Sequence, residues 1–198
     1  METDMTDMKN TNTGTTTTPQ ALAFIEDLIA RAGFDFVGQC PAAVLKVVPA
    51  VRDMCAEDKC RSFGKSWSCP PACGTLEEFE ALFKRYERCV VFQTTLNMED
   101  DFDYETMVEA KRLHDERFNA LSARVVASGH DIALLSAGTC KLCAPGSCTC
   151  PDAPCIHPKL MHPSMEAAGL WVSEVCTAAQ IAYNHGPLTM TYTSCALV

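Results

Sequence analysis

The chain has 198 residues, 47% of them apolar, thirteen cysteines and a formal net charge of −9. A chain of this length buries an ordinary core without covalent staples and reads as one domain. The acidic balance excludes broad attachment to nucleic acid or anionic lipid. Apolar runs are all too short to span a bilayer, so neither nucleic acid nor membrane is expected as a partner.

Residues 1–18 are Thr-rich and polar, the composition of a disordered tail, which leaves 19–198 as the folded domain. Thr18-Pro19 has the form of an N-cap followed by proline at the first helical position. Leu22, Ile25, Leu28 and Ile29 then recur at helical spacing up to Gly33, and Phe34–Val37 suggests a short strand. Thr75 and Glu78 make a capping box that opens a helix over 75–87, with Leu76, Phe79, Leu82, Phe83 and Tyr86 on one face. Cys89–Leu96 reads as a buried strand. The acidic run from Glu99 to Glu105 reads as a solvated loop leading into a helix over 104–128, with Met107, Leu113, Leu121 and Val125 inward and Gly129 closing it. Asp131–Ser136 is a second buried strand, Val172–Tyr183 a helix and Leu188–Leu197 a final strand. The expected fold is α/β or α+β, a central sheet from 89–96, 131–136 and 188–197 covered by helices. Strand, helix, strand is a βαβ signal, with an antiparallel arrangement as the alternative.

The cysteines carry the chemistry. Cys140, Cys143, Cys148, Cys150 and Cys155 fall within sixteen residues, and Cys55, Cys60, Cys69 and Cys73 form a second group upstream. Thiols this crowded pair as disulfides, bind a soft metal, or act as a redox dithiol. The N-terminus has neither the apolar core nor the basic flank of a secretory signal, so a cytoplasmic, reducing setting is expected. The odd cysteine count and the one-residue gap between Cys148 and Cys150 also disfavour a disulfide framework. A metal site needs several thiolates converging on one point. Cys140-x-x-Cys143 supplies two, Cys148 or Cys150 a third across the Ala144–Ser147 turn, and Cys155, between prolines, a fourth. That arrangement has the style of iron–sulfur ligation of the 4Fe–4S type, in one or two clusters. Structural zinc is the rival; its ribbons usually carry two Cys-x-x-Cys pairs, and one is present here.

In the upstream group, Arg61 and Lys65 are placed to balance the charge of a thiolate centre. Ser164–Gly169 reads as a short capped helix whose amides suit an anion or a cluster-bound ligand, with Ser164 at its start and Glu166 the carboxylate available as a base. His157 and His162 read as surface or supporting histidines, Trp67 and Trp171 as packing shields. Cys40, Cys89, Cys176 and Cys195 read as ordinary buried thiols.

Four stretches in this order are specific: Cys60–Pro71 (CRSFGKSWSCPP), Cys140-Lys-Leu-Cys143, Pro154-Cys155-Ile-His-Pro158 and Pro163–Gly169 (PSMEAAG). They resemble an uncharacterised family of cysteine-rich predicted metal-binding proteins, frequent in anaerobic prokaryotes, from about Cys55 to the C-terminus. The resemblance implies metal binding and carries over onto Cys55, Cys60, Cys69, Cys140, Cys143 and Cys155. The chain departs from the pattern in an enlarged loop between Cys143 and Cys155, and His157 stands where arginine is more usual.

The functional expectation is a cytosolic iron–sulfur protein that transfers electrons to, or gives redox support to, a partner enzyme. The alternatives are a zinc-stabilised interaction module and an enzyme with an open cluster site.

Overall fold

The computed structural model describes residues 18–198. The expected disordered tail therefore lies outside the described residues, apart from Thr18, which already belongs to helix α1 (Thr18–Ala32). The elements that follow are strand β1 (Phe36–Pro41), a 3₁₀ turn, helix α2 (Pro49–Ala56) and helix α3 (Leu76–Phe83). Strand β2 (Arg88–Asn97), helix α4 (Tyr104–Ser128), strand β3 (Ala133–Leu135), helix α5 (Val172–Ala178) and strand β4 (Thr189–Leu197) complete an α+β chain.

The sheet order is β1-β2-β4-β3 and every neighbouring pair is antiparallel. β2 and β3 therefore run in the same direction, as their strand–helix–strand order suggested. They are not hydrogen-bonded to each other, because the C-terminal strand β4 lies between them and pairs with both. The first strand begins at Phe36 and runs to Pro41, later and longer than the 34–37 expected, with Cys40 opposite Cys89.

Alternation along the strands splits the core into two layers. On one face Val90 and Phe92 of β2, with Ala196 of β4, pack against Ile25 and Ile29 of α1 and Phe118 and Leu121 of α4. On the other, Cys89, Val91, Cys195 and Leu197 pack against Phe79 and Phe83 of α3 and Val175 and Cys176 of α5. Cys40, Cys89, Cys176 and Cys195 are all buried here. The capping box of α3 forms, with Thr75 Oγ1 accepting from the Glu78 amide at 3.2 Å and Glu78 Oε2 accepting from the Thr75 amide at 2.7 Å.

Three expectations need correction. The inward stripe of α4 is Ala110, His114, Phe118, Leu121, Ser122 and Val125; Met107 and Leu113 only flank it. His114 is tolerated because hydroxyls from two strands meet it: Thr94 Oγ1 lies 3.0 Å from Nδ1 and Ser194 Oγ 2.8 Å from Nε2. Helices α3 and α5 end at Phe83 and Ala178, short of the 87 and 183 expected. Residues 164–169 form a turn rather than a helix, pinned at Ser164 by a bridge to Ser136, just past β3, and followed at once by a bridge from Leu170 to Val47.

Candidate metal-binding site

β3 ends at Leu135 and the chain runs through Ser136–Thr139 into Cys140, so the second cysteine region leaves from one end of the sheet. The first region is packed directly onto it. Ser68 Oγ accepts from the Cys140 amide at 2.9 Å, Trp67 Nε1 donates to Thr149 Oγ1 at 3.3 Å, and Cys69 Sγ lies 3.5 Å from Thr139 Oγ1. The Pro70–Pro71 and Cys150–Pro151 bonds in these loops are cis.

Two cavities open there. The first, of about 420 Å³, is lined by Cys140, Cys143, Cys148, Cys150 and Cys155. Arg61, Lys65 and Lys141 also line it, and no carboxylate does among the described residues. The second, of about 400 Å³, is lined by Cys55, Cys60 and Cys69, with Ser164 and Glu166. Thr139 belongs to both linings; no cysteine does. The supporting residues are thus exchanged relative to chain order. Arg61 and Lys65 come from the first cysteine region but line the cavity of the second, and Ser164 and Glu166 follow the second region but line the cavity of the first. Cys73 lies outside both linings; its Sγ is 3.9 Å from the Ala167 carbonyl.

Burial, modulated by nearby charges, sets the state of the thiols. Burial pushes the Cys73 thiol up to about 11, with Arg52 acting in the opposite direction. Burial raises Cys55 as well, the Glu166 charge adds to it, and Arg52 again opposes. Cys140 and Cys150 are raised chiefly by burial, with neighbouring cysteines adding to it. A cation entering either cavity would displace protons from such thiols as it bound.

Among the described residues, no three His, Cys, Asp or Glu side chains converge tightly enough to hold a single metal ion. Whether a thiolate-ligated centre fits is answered by the donor set. Five thiols and three cationic side chains around the first cavity match a centre whose thiolates and sulfides carry negative charge. One backbone amide already points at sulfur there, His157 N–H donating to Cys155 Sγ at 3.4 Å, and the Leu142 amide acts to lower the Cys140 thiol against the effect of burial. Near Cys55 and Cys73, Arg52 donates through Nη1 to the Gly74 carbonyl at 3.0 Å, while its buried Nε and Nη2 find no partner. These orphaned donors are an invitation to an anionic centre. Sequence reasoning passed over Arg52 because it lies in α2, an eight-residue helix with Val51 its one fully buried side chain and hence little periodicity to read.

His157 lines the first cavity, as does Trp67. His162 is half-buried, its Nε2 2.6 Å from Ser122 Oγ, and this partial burial lowers its pKa to about 4. Trp171 lines neither cavity and is 43% exposed, so it shields no cysteine. All thirteen cysteines are free thiols, and no helix among the described residues is long and apolar enough to cross a membrane.

Comparison with known proteins gave no match among curated proteins and none among solved structures. A family model matches residues 39–198, which span both cysteine regions, the whole sheet from within β1 onward, and both cavities. The chain therefore belongs to the family described as "Predicted metal-binding protein (DUF2284)".

Proposed function

We propose that the protein is an iron–sulfur protein that gives electron-transfer or redox support to a partner enzyme. The observation that carries this reading is the first cavity, where five cysteines and three cationic side chains surround a space of about 420 Å³ without a carboxylate among the described residues. Cys140, Cys143 and Cys155 would hold the centre, with Cys148 or Cys150 completing four thiolates. Arg61, Lys65 and Lys141 would neutralise part of its charge, and the Leu142 and His157 amides would hydrogen-bond its sulfurs. A cubane cluster supplies one-electron transfer at a potential set by such charges and hydrogen bonds. The cysteines of the second cavity would hold a separate centre, since no thiol is common to the two linings and loops that close locally cost less entropy than a shared site. Cys55, Cys60 and Cys69 supply three thiolates there, a count that would leave one position of a cluster open.

A second reading, structural zinc, draws on the same thiols. Anaerobic purification separates the two. Broad visible absorption that bleaches on reduction, with iron and sulfide present, supports the cluster; a colourless protein that holds zinc refutes it.

A further inference from the structure

The two cavities have opposite electrostatic character. The first carries three cationic side chains and no carboxylate among the described residues. The second carries Glu166 and, among the described residues, no lysine, arginine or histidine. Its lining also contains three aromatic residues, Phe63, Tyr183 and Tyr192, and Thr191 and Thr193 of β4, whose hydroxyls also meet Thr95 Oγ1 at 2.9 Å and Gln93 Nε2 at 3.2 Å. Two cations stand close by: Lys111, 5.7 Å from the Tyr192 ring centroid, is paired with Asp115 one helical turn along α4, and Arg52, outside the lining but near Cys55, bonds the Gly74 carbonyl and lies 5.8 Å from the Phe79 ring centroid. Nothing in this lining would repay an anion for its lost water. A compact organic cation would find a carboxylate, aromatic surface and hydroxyl acceptors together, the combination by which proteins hold ammonium groups. Glu166 and Tyr183 are both exposed, Tyr183 at 54%, which places them where an incoming ligand meets the protein first. The chain's net charge of −9 would further favour the approach of cations.

The geometry points to the second cavity as a binding pocket for a small organic cation, of the amine to quaternary-ammonium class, held by Glu166 with Tyr183 beside the wall of Cys55, Cys60 and Cys69. The recognising groups are the chain's own; the inference rests on the proposed function only in placing the bound cation next to a metal centre. It would make the site one where a ligand and a cluster meet, rather than a second simple electron store.

Isothermal titration calorimetry on the full chain, purified anaerobically with its metal, tests this with three probes: choline, butylamine and dimethylbutanol, the uncharged carbon isostere of choline. The expected result is that at least one of the two cations binds roughly tenfold more tightly than dimethylbutanol, a difference of about 1.4 kcal/mol. Glu166→Gln and Tyr183→Leu, both at exposed positions, should each weaken that binding roughly tenfold. Equal affinity for cation and isostere, absence of cation binding, or affinity unchanged in Glu166→Gln would overturn the assignment. Iron measured in the same samples keeps the two readings apart. Selective cation binding by protein without iron would uphold the pocket and remove the cluster; iron-replete protein with no cation preference would do the reverse.

Discussion

Ser68 and Cys140 are seventy-two residues apart in the chain, yet the Ser68 hydroxyl accepts the Cys140 amide at 2.9 Å, and Cys140 lines the first cavity while Cys69, next to Ser68, lines the second. Ser68 is fully buried, and Ser66 Oγ, 3.0 Å away, completes its hydrogen bonding. The bond fixes the backbone at the first cysteine of the downstream region by means of a residue from the upstream one.

Replacing Ser68 by alanine leaves the Cys140 amide without its acceptor. The expected cost is about 1–3 kcal/mol in urea unfolding of the metal-loaded protein, together with faster loss of metal to a chelator. Unchanged chelation kinetics would mean that the two regions are held together by other contacts.

Arg52 gives a prediction whose sign depends on the metal. Its guanidinium has two buried donors without partners, beside Cys55 and Cys73. In metal-free protein, Arg52→Met should be neutral or stabilising, since it removes a poorly satisfied charge. In metal-loaded protein the same change should weaken retention of the second centre. Thermal unfolding of both forms reads this out, and an equal effect on both would detach Arg52 from the site.

Much of the fold was legible in the sequence, because its strongest signals are local. The capping box at Thr75 and Glu78, the bounds of the 104–128 helix and the Gly129 stop all appear where they were expected, Gly129 in the left-handed conformation. What was not legible depends on contacts distant in the chain. Insertion of β4 between β2 and β3 follows from pairing across nearly a hundred residues. His114 broke the apolar pattern of α4, and one of its two partners, Ser194, is eighty residues further on, in β4. For the site, the grouping of the cysteines was visible from spacing alone. The exchange of Arg61 and Lys65 with Ser164 and Glu166 was not, because each loop turns its charged residues towards the other loop's cavity.

The fully buried His114 and the half-buried His162 both contribute to the acid response. Burial lowers His114 to about 3, with Lys111 and Arg117 acting in the same direction, and lowers His162 to about 4. An unfolded histidine takes up its proton near pH 6.5. Between that value and the depressed folded values the unfolded state binds more protons, so the stabilising contribution is complete above about pH 6.5 and is lost as pH falls. Each such histidine contributes a slope of at most about 1.4 kcal/mol per pH unit. His114→Gln should make the loss of stability between pH 6 and 4 shallower in denaturant titrations; an unaltered slope would contradict the burial argument.

Gly169 closes the turn that carries Glu166. Its φ is +80°, and an added Cβ would lie 2.7 Å from Leu76 Cδ2 on α3. Gly169→Ala should destabilise the protein by about 1–2 kcal/mol from the backbone alone, measured as a lowered urea midpoint, with Gly146→Ala as the control at a positive-φ site open to solvent. Equal midpoints for the two variants would show that the contact with Leu76 is relieved without cost.

The most direct test of the central claim is the iron and acid-labile sulfide content per chain of anaerobically purified protein, compared with Cys140→Ser, Cys60→Ser and Cys195→Ser. Two separate centres predict about eight iron in the parent protein if both are cubanes, about four in either of the first two variants, and no change in the third, whose cysteine is buried in the core. Iron near four in the parent, lost entirely on mutating either region, would show one shared site, and iron absent from all four proteins would contradict the account.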